Sequence, residues 1–248
     1  MFNKNTIALK KIVPLIIATL TLIACKNDPT PLTFNDQGIE SKTNALIDIN
    51  YPRAEGNKTV AKKINAAVEN YMANEINMSE KPNKKLALED AIKTFDQDYR
   101  SFIDDYSDST EQWEVLIESE VTYESENIVS ISVNSYIDTG GAHGNSRVAF
   151  LNFDKKTGTI LEQEDLISDM EAFKGFVRPF FEKATKSLSD DTIEDPFYGE
   201  GFQLPETIGF GPEGLILLYN VYEIASYAQG VTEFSIPLEQ AQQYLKIY

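Results

Sequence analysis

The sequence predicts an α+β fold, a largely antiparallel sheet or sheets with helices packed on one face. Three observations lead there. Between about residues 60 and 106 apolar side chains recur every three to four positions in two stretches, the signature of helices with one buried stripe. From Trp113 onward the period drops to two, in runs short enough to be strands linked by hairpins. Beyond residue 203 the chain returns to short apolar runs broken by glycine and polar turns. Helices grouped apart from hairpin-linked strands make an α+β chain rather than an alternating α/β one.

The elements follow in order. A short strand is expected over 45–51, stopped by Pro52, because proline removes a ladder donor. Val60, Ile64, Val68, Tyr71 and Ile76 form the stripe of a first helix, and Leu88, Ala91, Ile92, Phe95, Tyr99, Phe102 and Tyr106 that of a second. Pro82-Asn83 separates them. Trp113, Val115, Ile117, Val121 and Tyr123 then alternate with Glu114, Glu118, Glu120 and Thr122. Val129, Ile131, Val133 and Ile137 alternate with Ser130, Ser132 and Asn134, so 124–127 reads as a hairpin turn. A strand over 147–153 is closed by the turn Asp154-Lys-Lys-Thr-Gly158. An acidic helical patch over 161–167 precedes a helix striped by Phe173, Phe176, Val177, Phe180, Phe181, Ala184 and Leu188. Strands over 203–209, 214–220 and 232–238 and a short helix from Glu239 complete the chain.

The first residues look like an address rather than structure. Lys4, Lys10 and Lys11 precede an apolar run from Ile12 to Ala24 that is shorter than the roughly 20 residues of a membrane span. Leu22-Ile23-Ala24-Cys25 has the form of a bacterial lipobox, so residues 1–24 read as a lipoprotein-type signal peptide and Cys25 as the lipidated residue. Residues 25–43, polar and carrying two prolines, read as a flexible tether, with two α+β subdomains behind it over 44–138 and 139–248. The mature chain would carry 19 − 39 = −20 charges, since the signal removes three of 22 cations and no acid. That balance disfavours nucleic acid as a partner and favours cationic proteins. A single cysteine excludes an internal disulfide.

Little in the chain points to catalysis. His143 is the only histidine, set among Gly140, Gly141 and Gly144 between two strands, with no Gly-x-Ser-x-Gly elbow near Ser135 or Ser146. The glycines suit a tight connection with positive φ angles, and such a loop on a rigid sheet is also a common recognition surface. One histidine and one cysteine do not make a typical zinc site, and neither Asp154–Gly158 nor Asp104, Asp105 and Asp108 matches the calcium-loop spacing. No metal or other cofactor is expected. Thr94-Phe95-Asp96-Gln97-Asp98 is similar to a motif of polysaccharide deacetylases, but those enzymes take two metal-binding histidines from a second motif. Paired carboxylates acting alone stay open as a cell-wall hydrolase alternative.

Two loop patterns carry a resemblance. Thr139-Gly-Gly-Ala-His-Gly144, then Asn152-Phe-Asp-Lys-Lys-Thr-Gly158 and Leu161-x-x-Glu-Asp-Leu166, resemble the extracytoplasmic C-terminal domain family of the anti-sigma factor RsiV. The stretch Tyr222-Glu-Ile-Ala-Ser-Tyr-Ala-Gln-Gly230, followed by Phe234-Ser-Ile-Pro237, looks like a second segment of the same family. The part over 43–137 is similar to the domain that precedes it there and that also occurs beside the catalytic domain of the deacetylase PdaC. The resemblance implies an extracytoplasmic α+β module that acts by binding, as the family member captures lysozyme. The chain departs from it in having a lipobox in place of the membrane helix and no sigma-binding segment, and it lacks the deacetylase domain. Binding residues are therefore expected at Tyr136, Gly140, Gly141 and His143 on one loop and at Tyr222, Glu223, Tyr227 and Gln229 on the other. The expected function is a lipid-anchored binding or sensor module, not an enzyme, for a cationic protein such as a lysozyme-like muramidase or for a cell-wall component. A purely structural envelope protein is the third reading.

Overall fold

The computed structural model describes residues 30–77, 79, 81–187 and 196–246, so the signal peptide, Cys25 and Leu188 lie outside the described residues. The six-stranded sheet at its centre has the order β1-β2-β3-β4-β5-β6, in chain sequence. Its strands are β1 (Thr33–Ser41), β2 (Leu46–Glu55), β3 (Glu114–Glu124), β4 (Ile128–Asp138), β5 (Asn145–Asp154) and the two-residue β6 (Ile160–Leu161). Neighbours run antiparallel except β2 and β3, which are parallel. The exception has a cause. Between β2 and β3 the chain makes α1 (Lys58–Ile76) and α2 (Leu88–Asp105), and this crossover carries it back to the end where β2 began.

Asn57 caps α1, its Oδ1 accepting from the N–H groups of Thr59 and Val60 at 3.2 and 3.4 Å. No side chain caps α2, but Glu89 and Asp90 place negative charge in its first turn, where the helix dipole favours it. The stripes read from sequence point at the sheet: Ile64, Val68, Met72, Ile76 and Phe95 are buried with Ile47, Ile49, Val115, Ile117, Val129, Ile131 and Val133. Asp96 on α2 fixes the β1–β2 link by accepting from the N–H groups of Asn44 and Ala45, both at 3.0 Å.

Because β4 alternates, Ser130 and Ser132 lie on the face opposite Ile131. A second sheet covers that face. It consists of β7 (Thr207–Gly211), β8 (Gly214–Tyr219) and β9 (Thr232–Ile236), all antiparallel, joined by α3 (Gln163–Leu166), α4 (Met170–Ser187) and the short α5 (Leu238–Ala241). Polar side chains of the large sheet grip the backbone of β7. Ser130 Oγ accepts from Phe210 N–H at 3.2 Å, Asn152 Nδ2 donates to the Ile208 carbonyl at 2.7 Å, and the Thr122 hydroxyl donates to the Phe210 carbonyl at 2.7 Å. Gly209 lets the two layers close: a Cβ there would lie 2.2 Å from the Phe150 ring. Beyond this seam a second core gathers Phe173, Val177, Ile208, Phe210, Leu215, Leu217 and Ile236.

The α+β class is observed, with two antiparallel-rich sheets. Three details differ from the sequence reading. Residues 33–41, taken as part of a flexible tether, form edge strand β1 instead; only Phe34, Ile39 and Leu32 reach the core, so the strand shows almost no apolar period. The subdomain boundary drawn at 138/139 falls inside the β4–β5 hairpin, whose ten paired positions hold both strands in one sheet. The strand expected from 203 begins at Thr207, because the carbonyls of Pro205 and Glu206 turn aside to accept from Gln163 Nε2 at 2.7 and 3.0 Å.

Candidate functional site

The loop 139–144 grows out of the end of β4. Asp138 organises it: Oδ1 accepts from Gly140 N–H at 2.9 Å, and Oδ2 accepts from the Tyr136 hydroxyl at 3.1 Å. That bond to a carboxylate is the main reason the Tyr136 hydroxyl is held above its ordinary pKa. Gly140 and Gly141 take φ values of +84° and +113°, which side-chain-bearing residues rarely adopt. Gly144 is required for a different reason, since a Cβ there would lie 2.5 Å from the Tyr136 ring. His143 is thereby turned outward. Its Nδ1 lies 2.8 Å from the Gly144 carbonyl, which can only accept, so Nδ1 carries a proton and Nε2 faces outward as the free nitrogen.

The second loop comes to meet it. Between β8 and β9 the chain makes a short 3-10 turn, Tyr227–Gln229, and the Tyr227 ring stacks on His143 with centroids 4.0 Å apart and planes 16° from parallel. Tyr222 continues the strip, its ring 5.7 Å from that of Tyr227. It is 54 % exposed and sits at φ +68°, a backbone state that costs a tyrosine on the order of 1 kcal/mol or more. Its carbonyl accepts from the Tyr198 hydroxyl at 3.2 Å, and Tyr198 is itself 60 % exposed at φ +53°. What holds Tyr198 there is its neighbour: Phe197 is buried against Phe181, Phe202 and Tyr219. Left-handed backbone of this kind at non-glycine residues tends to mark functional surfaces.

Of the eight predicted binding residues, Tyr136, Gly140, Gly141, His143, Tyr222 and Tyr227 thus converge on one seam. Gln229 is exposed at the end of the same 3-10 turn. Glu223 does different work. Its two carboxylate oxygens accept from the N–H groups of Glu206, at 2.6 Å, and Asn220, at 2.8 Å, pinning the start of the 220–230 segment to the loop before β7. Burial raises its pKa despite these two donors, which pull the other way. With the folded value above the unfolded one, this group's contribution to stability is present at low pH and is lost as pH rises through the folded value. Glu223→Gln replaces one of the two acceptors by an NH2 group facing an N–H. We expect it to cost about 1–3 kcal/mol, read as a fall in the denaturation midpoint.

Tyr198 and Asp138 were not foreseen as site residues. Neither carries periodicity, although the glycine-flanked aromatic pair Phe197-Tyr198 is a local signal of turn-presented aromatics. The site lacks the geometry of a serine–histidine pair. The Ser135 hydroxyl donates to Glu75 at 2.8 Å, on the helix side of the sheet, while His143 faces Tyr227. Among the described residues no group of three or more His, Cys, Asp or Glu side chains is placed to hold a metal ion. What remains is an exposed aromatic strip with acceptors at its rim. Such a strip can stack on flat or cationic groups and accept hydrogen bonds from them.

The two loops also fall in differently named regions. Two family models match the chain. Residues 39–146, which include the Gly-rich loop, match the family described as deacetylase PdaC. Residues 164–239, which include Tyr222 and Tyr227, match DUF3298, a protein family of unknown function. The aromatic seam thus joins the PdaC-matching region to the DUF3298-matching one. The fold as a whole is similar to that of a DUF3298 family protein from Bacteroides fragilis, at TM-score 0.66 and 20 % identity over 88 % of this chain and 94 % of that one. It is also similar to a DUF3298 family protein from Pseudomonas aeruginosa, at TM-score 0.57 and 20 % identity over 88 % and 95 % of the two chains. No curated protein matches the chain.

Proposed function

We propose that the protein is an extracytoplasmic binding module of the cell envelope, anchored by lipid on Cys25, which captures a cationic, muramidase-like protein through the His143–Tyr227 seam. The observation that carries the reading is the stack itself. Two loops 84 positions apart in the sequence, by 227 − 143, converge to present His143, Tyr227 and Tyr222 outward instead of burying them. The PdaC and DUF3298 matches support a cell-wall-related module outside the cytoplasm. A net charge near −20 in the mature chain raises encounter rates with basic proteins by roughly one to three orders of magnitude, but it selects none of them. Selectivity has to come from anchors such as the rings of the seam.

The test is binding of the mature protein to a basic muramidase at low and at high salt, with a basic protein of unrelated fold as control. Recognition leaves a salt-resistant component with the muramidase alone. Equal binding of the control, or loss of all binding at moderate salt, reduces the acidity to solubility and removes the partner. The anchor is tested separately. Cys25→Ala is expected to abolish metabolic acyl labelling and release the protein from membranes, and labelling that persists in this variant ends the lipoprotein reading.

A further inference from the structure

We infer that the end of the domain opposite the aromatic seam is a docking face for anionic phospholipid headgroups, built from Lys58, Lys62, Lys63 and Lys156. The inference rests on the lipid anchor proposed at Cys25 for its geometry, and the seam is thereby aimed away from the bilayer.

The chain enters the domain at this end. Pro31 lies against Gly56, so closely that a Cβ on Gly56 would sit 2.0 Å from the Pro31 carbonyl oxygen. Cys25 is six positions before Pro31, by 31 − 25, and six extended residues span at most about 20 Å. A lipid on Cys25 therefore keeps the surface around Gly56 within about that distance of the headgroups. The seam is held at the far end. β1 and β2 pair from Thr33↔Glu55 to Ser41↔Ile47, a ladder of about 30 Å, and Leu46, Glu114 and Asp138 are in register at its other end, where the Gly-rich loop leaves.

The surface around the entry point departs from the acidity of the chain. Lys58 and Lys62 are exposed on neighbouring turns of one face of α1. Lys63 donates to the Thr157 carbonyl at 3.0 Å, and Gly158 packs on α1 so tightly that its Cβ would lie 2.7 Å from the Val60 carbonyl oxygen. The turn 154–158 therefore abuts the first turns of α1 and adds Lys156, which donates to Asn127 Oδ1 at 2.8 Å. The four ammonium groups enter no ion pair among the described residues. Several carboxylates nearby are engaged: Glu69 pairs with Arg53, Glu124 pairs with Lys155, and Asp154 Oδ1 accepts from the N–H groups of Lys156 and Thr157. Glu55 and Glu126 oppose the lysines locally. The acids of the distal end lie beyond the screening length of about 8 Å at physiological salt, so a bilayer beneath this face meets the lysines and not the net charge. Each lysine near an anionic surface strengthens its attraction by roughly five-fold.

The experiment places the purified mature lipoprotein on vesicles of phosphatidylcholine and on vesicles of equimolar phosphatidylcholine and phosphatidylglycerol. Lysine acylation is then read by mass spectrometry. Lys58, Lys62, Lys63 and Lys156 are expected to react several-fold more slowly on the anionic vesicles, with Lys42 and Lys93 unchanged, and high salt should remove the difference. The exposed double variant Lys58→Glu/Lys62→Glu should lose the protection of Lys63 and Lys156 without a change in thermal midpoint. Equal reactivity on both vesicles overturns the inference and leaves the anchor standing. Flotation with the neutral vesicles reads the anchor alone. If the chain does not float with them, the anchor fails, and the face survives only if anionic vesicles still protect the four lysines.

Discussion

Tyr227→Ala weakens salt-resistant capture of a basic partner by about 10- to 100-fold, the range of a central aromatic anchor. The ring contacts His143 at 4.0 Å and Tyr222 at 5.7 Å, so its loss removes the middle of the strip and leaves both neighbours without support. The fold should feel this little. The pair is worth about 0.5–1.5 kcal/mol, which in a chain of this size moves the melting temperature by a few degrees. Tyr227→Phe keeps the stack and should keep most of the binding. His143→Gln keeps the turn but loses the aromatic partner, and should fall between the two in affinity with folding intact. A Tyr227→Ala protein that binds as tightly as the wild type, at unchanged melting temperature, would remove the seam from recognition.

The largest stability effect is expected at Trp113. Its ring lies 5.5, 5.6 and 5.4 Å from those of Phe95, Tyr99 and Phe102, and it is buried where β3 begins. Trp113→Ala empties that cluster and should cost about 3–5 kcal/mol. The cost should appear as a fall of about 10 °C or more in the melting temperature. The indole Nε1 has no hydrogen-bond partner, so an aromatic without a polar atom suits the site nearly as well. Trp113→Phe should therefore cost well under half as much. Equal losses in the two variants would mean that the indole bears a polar role absent from this account.

Much of the fold was legible because burial is periodic. The stripes of α1 and α2 and the alternation in β3 and β4 each bury one face, and a period of 3.6 or 2 follows from that. β1 escaped for the converse reason: an edge strand needs no second partner and exposes most of its side chains, so its sequence reads like a linker. The parallel pairing of β2 with β3 was also hidden, since strand direction is set by where the α1–α2 crossover returns the chain. The site was legible as two motifs and illegible as one surface. Nothing within 139–144 or 222–230 reports that the two loops touch; the contact depends on β7 docking across β5, through bonds such as Asn220 Oδ1 accepting from Val148 N–H at 2.8 Å. Glu223 was read as a binding residue from its place in a motif, whereas its carboxylate is taken up by the backbone it holds.

Hydrogen–deuterium exchange of the mature protein with and without a basic muramidase tests the central claim most directly. The account predicts slower exchange over 139–145 and 221–230 together, with the acid-lined groove of Glu162, Glu164, Glu171 and Glu206 unaffected. Protection confined to that groove, or no protection of either loop under conditions where the two proteins are bound, would contradict it.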